Sequence, residues 1–245
     1  FGIFLIYVLN ILNIKQTLHV HNIKKTKNFR FVKYFVTEDF LKKKLIKNQI
    51  SENSIISYNY YLPESNVFKF ENKLKSKKLT IAFIGSIRYE KGIKDFLKLV
   101  KTNSNYKYFL IGHLQNNSSL QKEISYCVEN HDLTFKNTFL EDSKYRIELR
   151  KYNYIFLCYV KEHYEFRGSA MLYDLIRANT NYICYDYGIF SFYYKKYGTG
   201  ILIDHIDDIK DGLNTYKNIN YNNVITSLLK KSISLNYKNF IRKIN

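Results

Sequence analysis

Arg88, Glu90 and Lys91 fall within four consecutive positions of FIGSIRYEKGIKDFLKLV, residues 83–100, just behind an apolar run that ends in Gly85. The run predicts a strand and Gly92 marks the start of a helix, so the three charges occupy a strand-to-helix turn. Backbone N–H groups at such a turn, with the positive end of the helix behind them, suit an anion, and Arg88 and Lys91 add formal charge. The chemistry this predicts is the binding of a phosphate group. The spacing is neither a Walker A loop nor a G-x-G-x-x-G fingerprint, so bound ATP or NAD is not indicated. The plain alternative is a solvated basic turn, which many α/β proteins carry.

A second stretch, YVKEHYEFRGSAMLYDLIRANTNYICYD, places Glu162, His163, Glu165, Arg167, Gly168 and Ser169 in a loop after an apolar strand, with Asp174 about one turn into the next helix. Loop amides and the Ser169 hydroxyl can donate to phosphate oxygens, and a carboxylate can accept hydrogen bonds from paired sugar hydroxyls. Donors and acceptors on one loop suit a sugar phosphate. The alternative is that Glu162 and Glu165 are solvated and Asp174 merely favours the start of a helix.

The elements that must position these residues follow from periodicity. LTIAFIGS, YKYFLIG, LTFKNTF, YIFLCYV, NYICYD and TGILID predict strands, and KGIKDFLKLVKT, SLQKEISYCVEN, SKYRIELRKY and MLYDLIRAN predict the helices between them. Continuous apolar strands alternating with helices predict a doubly wound, mostly parallel α/β sheet of Rossmann-like type, with its ligand crevice at the carboxyl edge. Eight of the nine glycines lie from Gly85 onward, most of them just after strands. Upstream, QTLHVHN and FRFVKYFVT predict strands, a helix runs from Glu38 to about Lys47, and SIISYNYYLP closes the region at the only proline, Pro63. The chain therefore reads as an incomplete N-terminal α/β domain over 1–70, a lysine-rich linker over 71–78, the Rossmann-like domain over 79–206 and a basic helical segment over 207–245.

Composition narrows the function classes. With 46% hydrophobic and 17% aromatic residues, the 245-residue chain can build real cores. Lys and Arg number 39 against 21 Asp and Glu, a net charge of +18 that favours phosphates, nucleic acid or an anionic membrane surface. Part of that excess is compositional, since Lys, Asn, Ile, Tyr and Phe are abundant together. Cys127, Cys158 and Cys184 sit singly among apolar residues and read as reduced core thiols of a cytoplasmic protein. No spacing matches a zinc site; His19 and His21 share one strand face but find no further ligands in the pattern. FGIFLIYVLNIL is shorter than the roughly 20 residues of a membrane span, lacks signal-peptide features and reads as a buried helix. Starting at Phe, the chain is expected to lack its true beginning.

Together the two stretches resemble the retaining nucleotide-sugar glycosyltransferases of the GT-B fold, the glycosyl transferases group 1 or family four. Gly85, Glu90, Lys91 and Gly92 match the glycine, short loop and E-K-G that open the family's second domain. RGSAMLYDL follows the bacterial R-x-S-G-x-x-x-E-A pattern with Ala170 for glycine and Asp174 for glutamate, and YGTGILID matches the close of the domain. The similarity covers roughly 79–205, and more faintly HVHN and SIISYNYYLP. Ser86 stands where the family places an arginine, so Arg88 would substitute from two positions on. Glu165 and Asp174 are one residue further apart than the family's two acids, and Asn179 and Asn181 replace the glycine and proline of the following turn.

The resemblance implies a transferase that moves a sugar from a UDP- or GDP-linked donor to a glycan or lipid-linked acceptor. Lys91 and Arg88 would stabilise the charge that develops on the departing diphosphate, with loop amides and a helix end as further donors and no metal. Glu165, or else Glu162, would face the donor sugar and Asp174 the ribose hydroxyls, while Gly85, Ser86, Gly92, Arg167, Gly168 and Ser169 would line the donor. His21 would lie on the acceptor side. The positive charge fits a peripheral position on the anionic inner face of a membrane. Two rival readings are a noncatalytic nucleotide-sugar-binding remnant and, more remotely, a nucleic-acid-binding protein suggested by FRFVKYF and SFYYKKY.

Overall fold

Strands and helices alternate in the computed structural model, which describes residues 16–19, 28–29, 32–36, 39–57, 77–115 and 117–215. In chain order they are β1 (Gln16–His19), β2 (Val32–Val36), α1 (Asp39–Lys47), β3 (Ile55–Ser57), β4 (Thr80–Ile84), α2 (Ile93–Thr102), β5 (Lys107–Gly112), α3 (Ser118–Asn130) and β6 (Leu133–Asn137). Then follow α4 (Asp142–Lys151), β7 (Tyr154–Phe156), α5 (Lys161–Tyr164), α6 (Ala170–Arg177), β8 (Asn181–Tyr185), α7 (Gly188–Tyr197), β9 (Ile201–Ile203) and α8 (Ile209–Thr215). The first three strands make a parallel sheet in the order β1-β2-β3. The other six make a parallel sheet in the order β6-β5-β4-β7-β8-β9, the doubly wound arrangement that the alternation predicts.

β4 shows why a continuous apolar run is needed at the centre of such a sheet. All five of its residues are buried, yet they divide by parity. Ile81 and Phe83 enter one core with Phe96, Leu97 and Val100 of α2, Ile124 of α3 and Ile209 of α8. Ala82 and Ile84 enter the other with Leu149 of α4, Leu172 of α6 and Phe190 of α7. Phe96 sits at the centre of the first core, its ring 5.3 Å from that of Phe156 and 5.7 Å from that of Phe83. The second core also takes in Val32, Tyr34, Phe40, Leu41 and Ile55, so the two sheets share apolar burial. Cys127, Cys158 and Cys184 are buried free thiols, and burial pushes each pKa up.

Three features differ from the sequence expectation. The strand predicted over YIFLCYV ends at Phe156, and the chain then turns through α5, so Glu162 and His163 lie on a four-residue helix. GIFSFYYKKY, to which periodicity assigns no element, forms α7 and buries Ile189, Phe190 and Tyr193. Its aromatic content favours strand by propensity, and packing against the second core overrides it. Tyr89–Lys91 forms a 3₁₀ turn inside the first loop. The apolar run 1–12, His21, residues 71–76 of the linker and the segment after 215 lie outside the described residues. Among those described, no helix is long and apolar enough to cross a membrane.

Candidate functional site

The sheet order reverses direction at β4, whose neighbours are β5 and β7. In open α/β sheets the crevice for ligands lies at the carboxyl ends of the strands on either side of that reversal. Here the loop after β4 carries Gly85 to Gly92, and the loop after β7 carries Leu157 to Ser169.

Backbone contacts lock these loops in place. Gly85 N–H donates to the Ile111 carbonyl at 2.8 Å, and Ile87 N–H to His113 at 2.9 Å, so the first loop leaves β4 alongside the end of β5. Gly92 stands at φ 79°, and a Cβ there would lie 1.9 Å from the Cys158 carbonyl oxygen. Val160 N–H donates to the Glu90 carbonyl at 3.0 Å, which ties the two loops together directly. Only glycine permits both this φ and this approach.

The side chains held by this frame are cationic and only partly compensated. Arg88 Nη1 lies 3.2 Å from Glu90, both about one-third exposed. Arg88 Nε is buried and has no hydrogen-bond partner among the described residues. Lys91 Nζ lies 5.6 Å from the centre of the Tyr159 ring. Burial, and then the nearby Arg88 guanidinium, hold the Lys91 pKa below the usual lysine range, with Glu90 opposing. Arg167 lies over the Tyr164 ring at 5.7 Å, and Tyr164 feels Arg88, Arg167 and Glu90 together. Three cations thus gather round two tyrosines and one carboxylate, a surplus of positive charge that suits an anion.

Tyr159 links this cluster to the second predicted acid. Its ring packs 4.4 Å from that of Tyr164, and its hydroxyl hydrogen-bonds with Ser169 and reaches the Met171 sulfur at 3.3 Å. Burial raises its pKa. Ser169 also caps α6, accepting from Leu172 N–H at 3.4 Å, and is itself buried, so it forms the wall of the site. Tyr145 of α4 lies within electrostatic range of Tyr159 and hydrogen-bonds with Asp174. Asp174 is also 3.6 Å from Arg177 Nη1. Burial raises the Asp174 pKa above the usual carboxylate range, while Arg177, Arg146 and the Tyr145 hydroxyl pull it down.

The structure therefore brings Gly85, Arg88, Lys91, Gly92, Arg167, Ser169 and Asp174 to one edge of the sheet. Glu165, two residues before Arg167, has its backbone against Gly188 at the start of α7, next to the carboxyl end of β8. Tyr159, Tyr164, Tyr145 and Arg146 were not singled out from sequence. Within apolar or helical patterns, tyrosines read as core, and only the meeting of separate elements gives them a site role. A cavity of about 660 Å³ adjoins Tyr159, but its five carboxylates, from Asp95, Glu162, Asp186, Asp204 and Asp207, outnumber its two lysines, Lys98 and Lys161. Such walls repel a diphosphate, so the cationic cluster is the better seat for phosphate. Among the described residues, no group of three or more His, Cys, Asp or Glu is placed to hold a metal ion.

A family model described as Glycosyl transferases group 1 matches residues 64–225, more than half of the chain. No curated protein matches. Among solved structures, TarM is similar with a TM-score of 0.60 at 13% identity, covering 95% of this chain and 50% of that one. A mutant TarM from S. aureus in complex with Fondaparinux, alpha-GlcNAc-glycerol and UDP has a TM-score of 0.56 at 14% identity, covering 95% and 48%. OtsA without ligand has a TM-score of 0.56 at 11% identity, covering 78% and 51%. At these identities the likeness is one of fold, and the chain spans about half the length of these structures.

Proposed function

The chain belongs to the glycosyl transferases group 1 family, and from that premise we propose that it moves a sugar from a UDP- or GDP-linked donor to a glycan or lipid-linked acceptor, with retention of configuration. Residues 79–206 bind the donor in this reading, and 1–70 belong to the acceptor side. The observation that carries it is the Arg88–Lys91–Arg167 cluster at the sheet reversal, where the buried Arg88 Nε lacks a partner among the described residues. UDP in the complex of the structurally similar TarM supports a nucleoside diphosphate as the anion.

The roles follow from charge. As the bond between the anomeric carbon and the diphosphate oxygen breaks, negative charge grows on the phosphates, and Lys91 and Arg88 stabilise it as preorganised donors. Arg167 and the amides of Ser86 and Gly168 complete the phosphate cradle. Asp174, its carboxylate steadied by the Tyr145 hydroxyl, accepts hydrogen bonds from the ribose. Glu165, two residues before Arg167 on the same loop, faces the donor sugar. The acceptor hydroxyl attacks the anomeric carbon from the face that the diphosphate leaves, and its proton passes to the departing phosphate.

The test is incubation of the chain with UDP- and GDP-sugars and oligosaccharide acceptors, with nucleotide release and the anomeric configuration of the product read by NMR. Release coupled to an axial-for-axial product is the expected result. Saturable donor binding without release in the presence of acceptors would replace transfer by a purely binding role.

A further inference from the structure

Away from the donor cluster, α1 and α7 run beside each other and enclose an open groove of about 640 Å³. Lys42 and Lys43 line it from α1, and Lys195 and Lys196 from α7, with Ile46 and Phe192 between them. Of its two carboxylates, Glu52 is paired with Lys42 at 2.6 Å and Asp39 accepts from the Ser57 hydroxyl at 3.1 Å while keeping its charge, so the lining is net positive through Lys43, Lys195 and Lys196. Lys195 is 70% exposed, with Asp186 no nearer than 3.8 Å. Lys43 and Lys196 have no ion-pair partner among the described residues. The Lys196 ammonium lies over the rings of Phe192 and Tyr197, at 5.3 Å and 5.0 Å.

We propose that this groove is a docking surface for the phosphate headgroups of anionic phospholipids, which seats the chain on a negatively charged bilayer. Charge complementarity argues for this occupant. Two helices present Lys43, Lys195 and Lys196 to one open face beside the Lys42–Glu52 pair, and the contact between Phe40 and Phe192, centroids 5.8 Å apart, fixes their spacing. Lysine stems laid along aromatic and aliphatic surface, with ammonium groups directed outward, suit a boundary between apolar and charged layers. Ile46, 39% exposed on the same face, adds an apolar contact that a soluble polyanion would not use. Each lysine near such a surface contributes about fivefold in partitioning.

The experiment is co-sedimentation of the full chain with phosphatidylcholine vesicles and with vesicles containing phosphatidylglycerol. It compares the unaltered chain, a variant with Lys42, Lys43, Lys195 and Lys196 all changed to Gln, and a variant with the exposed Lys122, Lys136, Lys144 and Lys210 all changed to Gln. Far-UV circular dichroism and thermal melting serve as the folding control for all three. The expected result is phosphatidylglycerol-dependent binding that the groove variant loses by about 100-fold, the product of about fivefold for each of the three lysines not paired with a carboxylate, and that the second variant retains largely intact. Equal losses in both variants would assign binding to net charge and overturn the proposal. So would binding that ignores anionic lipid, or binding that millimolar inorganic phosphate abolishes, which would make the groove a site for a small soluble anion.

Discussion

Lys91 and Asp174 are each held in a state that folding alone disfavours. Burial and the neighbouring Arg88 lower the Lys91 pKa, so the folded chain binds fewer protons than the unfolded chain between the two values. Stability therefore rises with pH across that window, below the ordinary lysine pKa. Nucleotide affinity carries the opposite sign, because a diphosphate needs the ammonium, and it falls as pH climbs through the lowered Lys91 pKa. Lys91→Met is expected to leave the melting temperature unchanged or higher while weakening UDP by roughly 10- to 100-fold, the worth of a hydrogen bond to a charged group. Burial raises the Asp174 pKa, so the hydrogen bonds proposed for it with a ribose are expected to be lost as pH falls through that raised value. Affinity against pH should thus be bell-shaped, with Asp174→Asn flattening the acid limb and Lys91→Met the alkaline one. Titration calorimetry across pH reads both limbs. At this scale the sequence exposed the charges but hid their partners, since Tyr159 and Tyr145 acquire roles only through contacts between separate elements.

At the scale of elements, two loops make the site, and glycine makes the loops. A Cβ at Gly92 meets the Cys158 carbonyl at 1.9 Å and must also accept φ 79°, whereas Gly85, at φ 111°, has nothing within 4 Å of a Cβ. Gly92→Ala should therefore cost at least about 2 kcal/mol, from left-handed strain plus backbone displacement, and more than Gly85→Ala, which carries strain alone. Urea midpoints of the two variants check the order, and equal midpoints would show that the loops do not close on each other. Periodicity made β4, α2 and β5 legible, because a buried parallel strand and an amphipathic helix leave strong patterns. It leaves α5 unmarked, being too short to have a period, and α7 unassigned, because the rings of GIFSFYYKKY blur its apolar stripe although Gly198, at φ 67°, ends it as a helix.

At the scale of the whole molecule, both sheets contribute to one core, through Phe40 against Phe192 and through Lys44 over the Phe166 ring at 5.1 Å. Shared burial predicts one cooperative calorimetric transition, and two resolved transitions would contradict it. The strand alternation in the sequence led directly to the six-stranded sheet, but no residue pattern announced that the first sheet would join its core. That joining arises from complementary apolar faces, which local periodicity does not encode.

The central claim is that Arg88, Lys91 and Asp174 hold a nucleoside diphosphate. Its most direct test is calorimetric titration of the chain and of its Lys91→Met and Asp174→Asn variants with UDP, GDP and their sugar conjugates. Saturable binding of one nucleotide series, weakened by each substitution while the fold persists, is the expected result. Absence of binding, or equal binding by all three proteins, would contradict it.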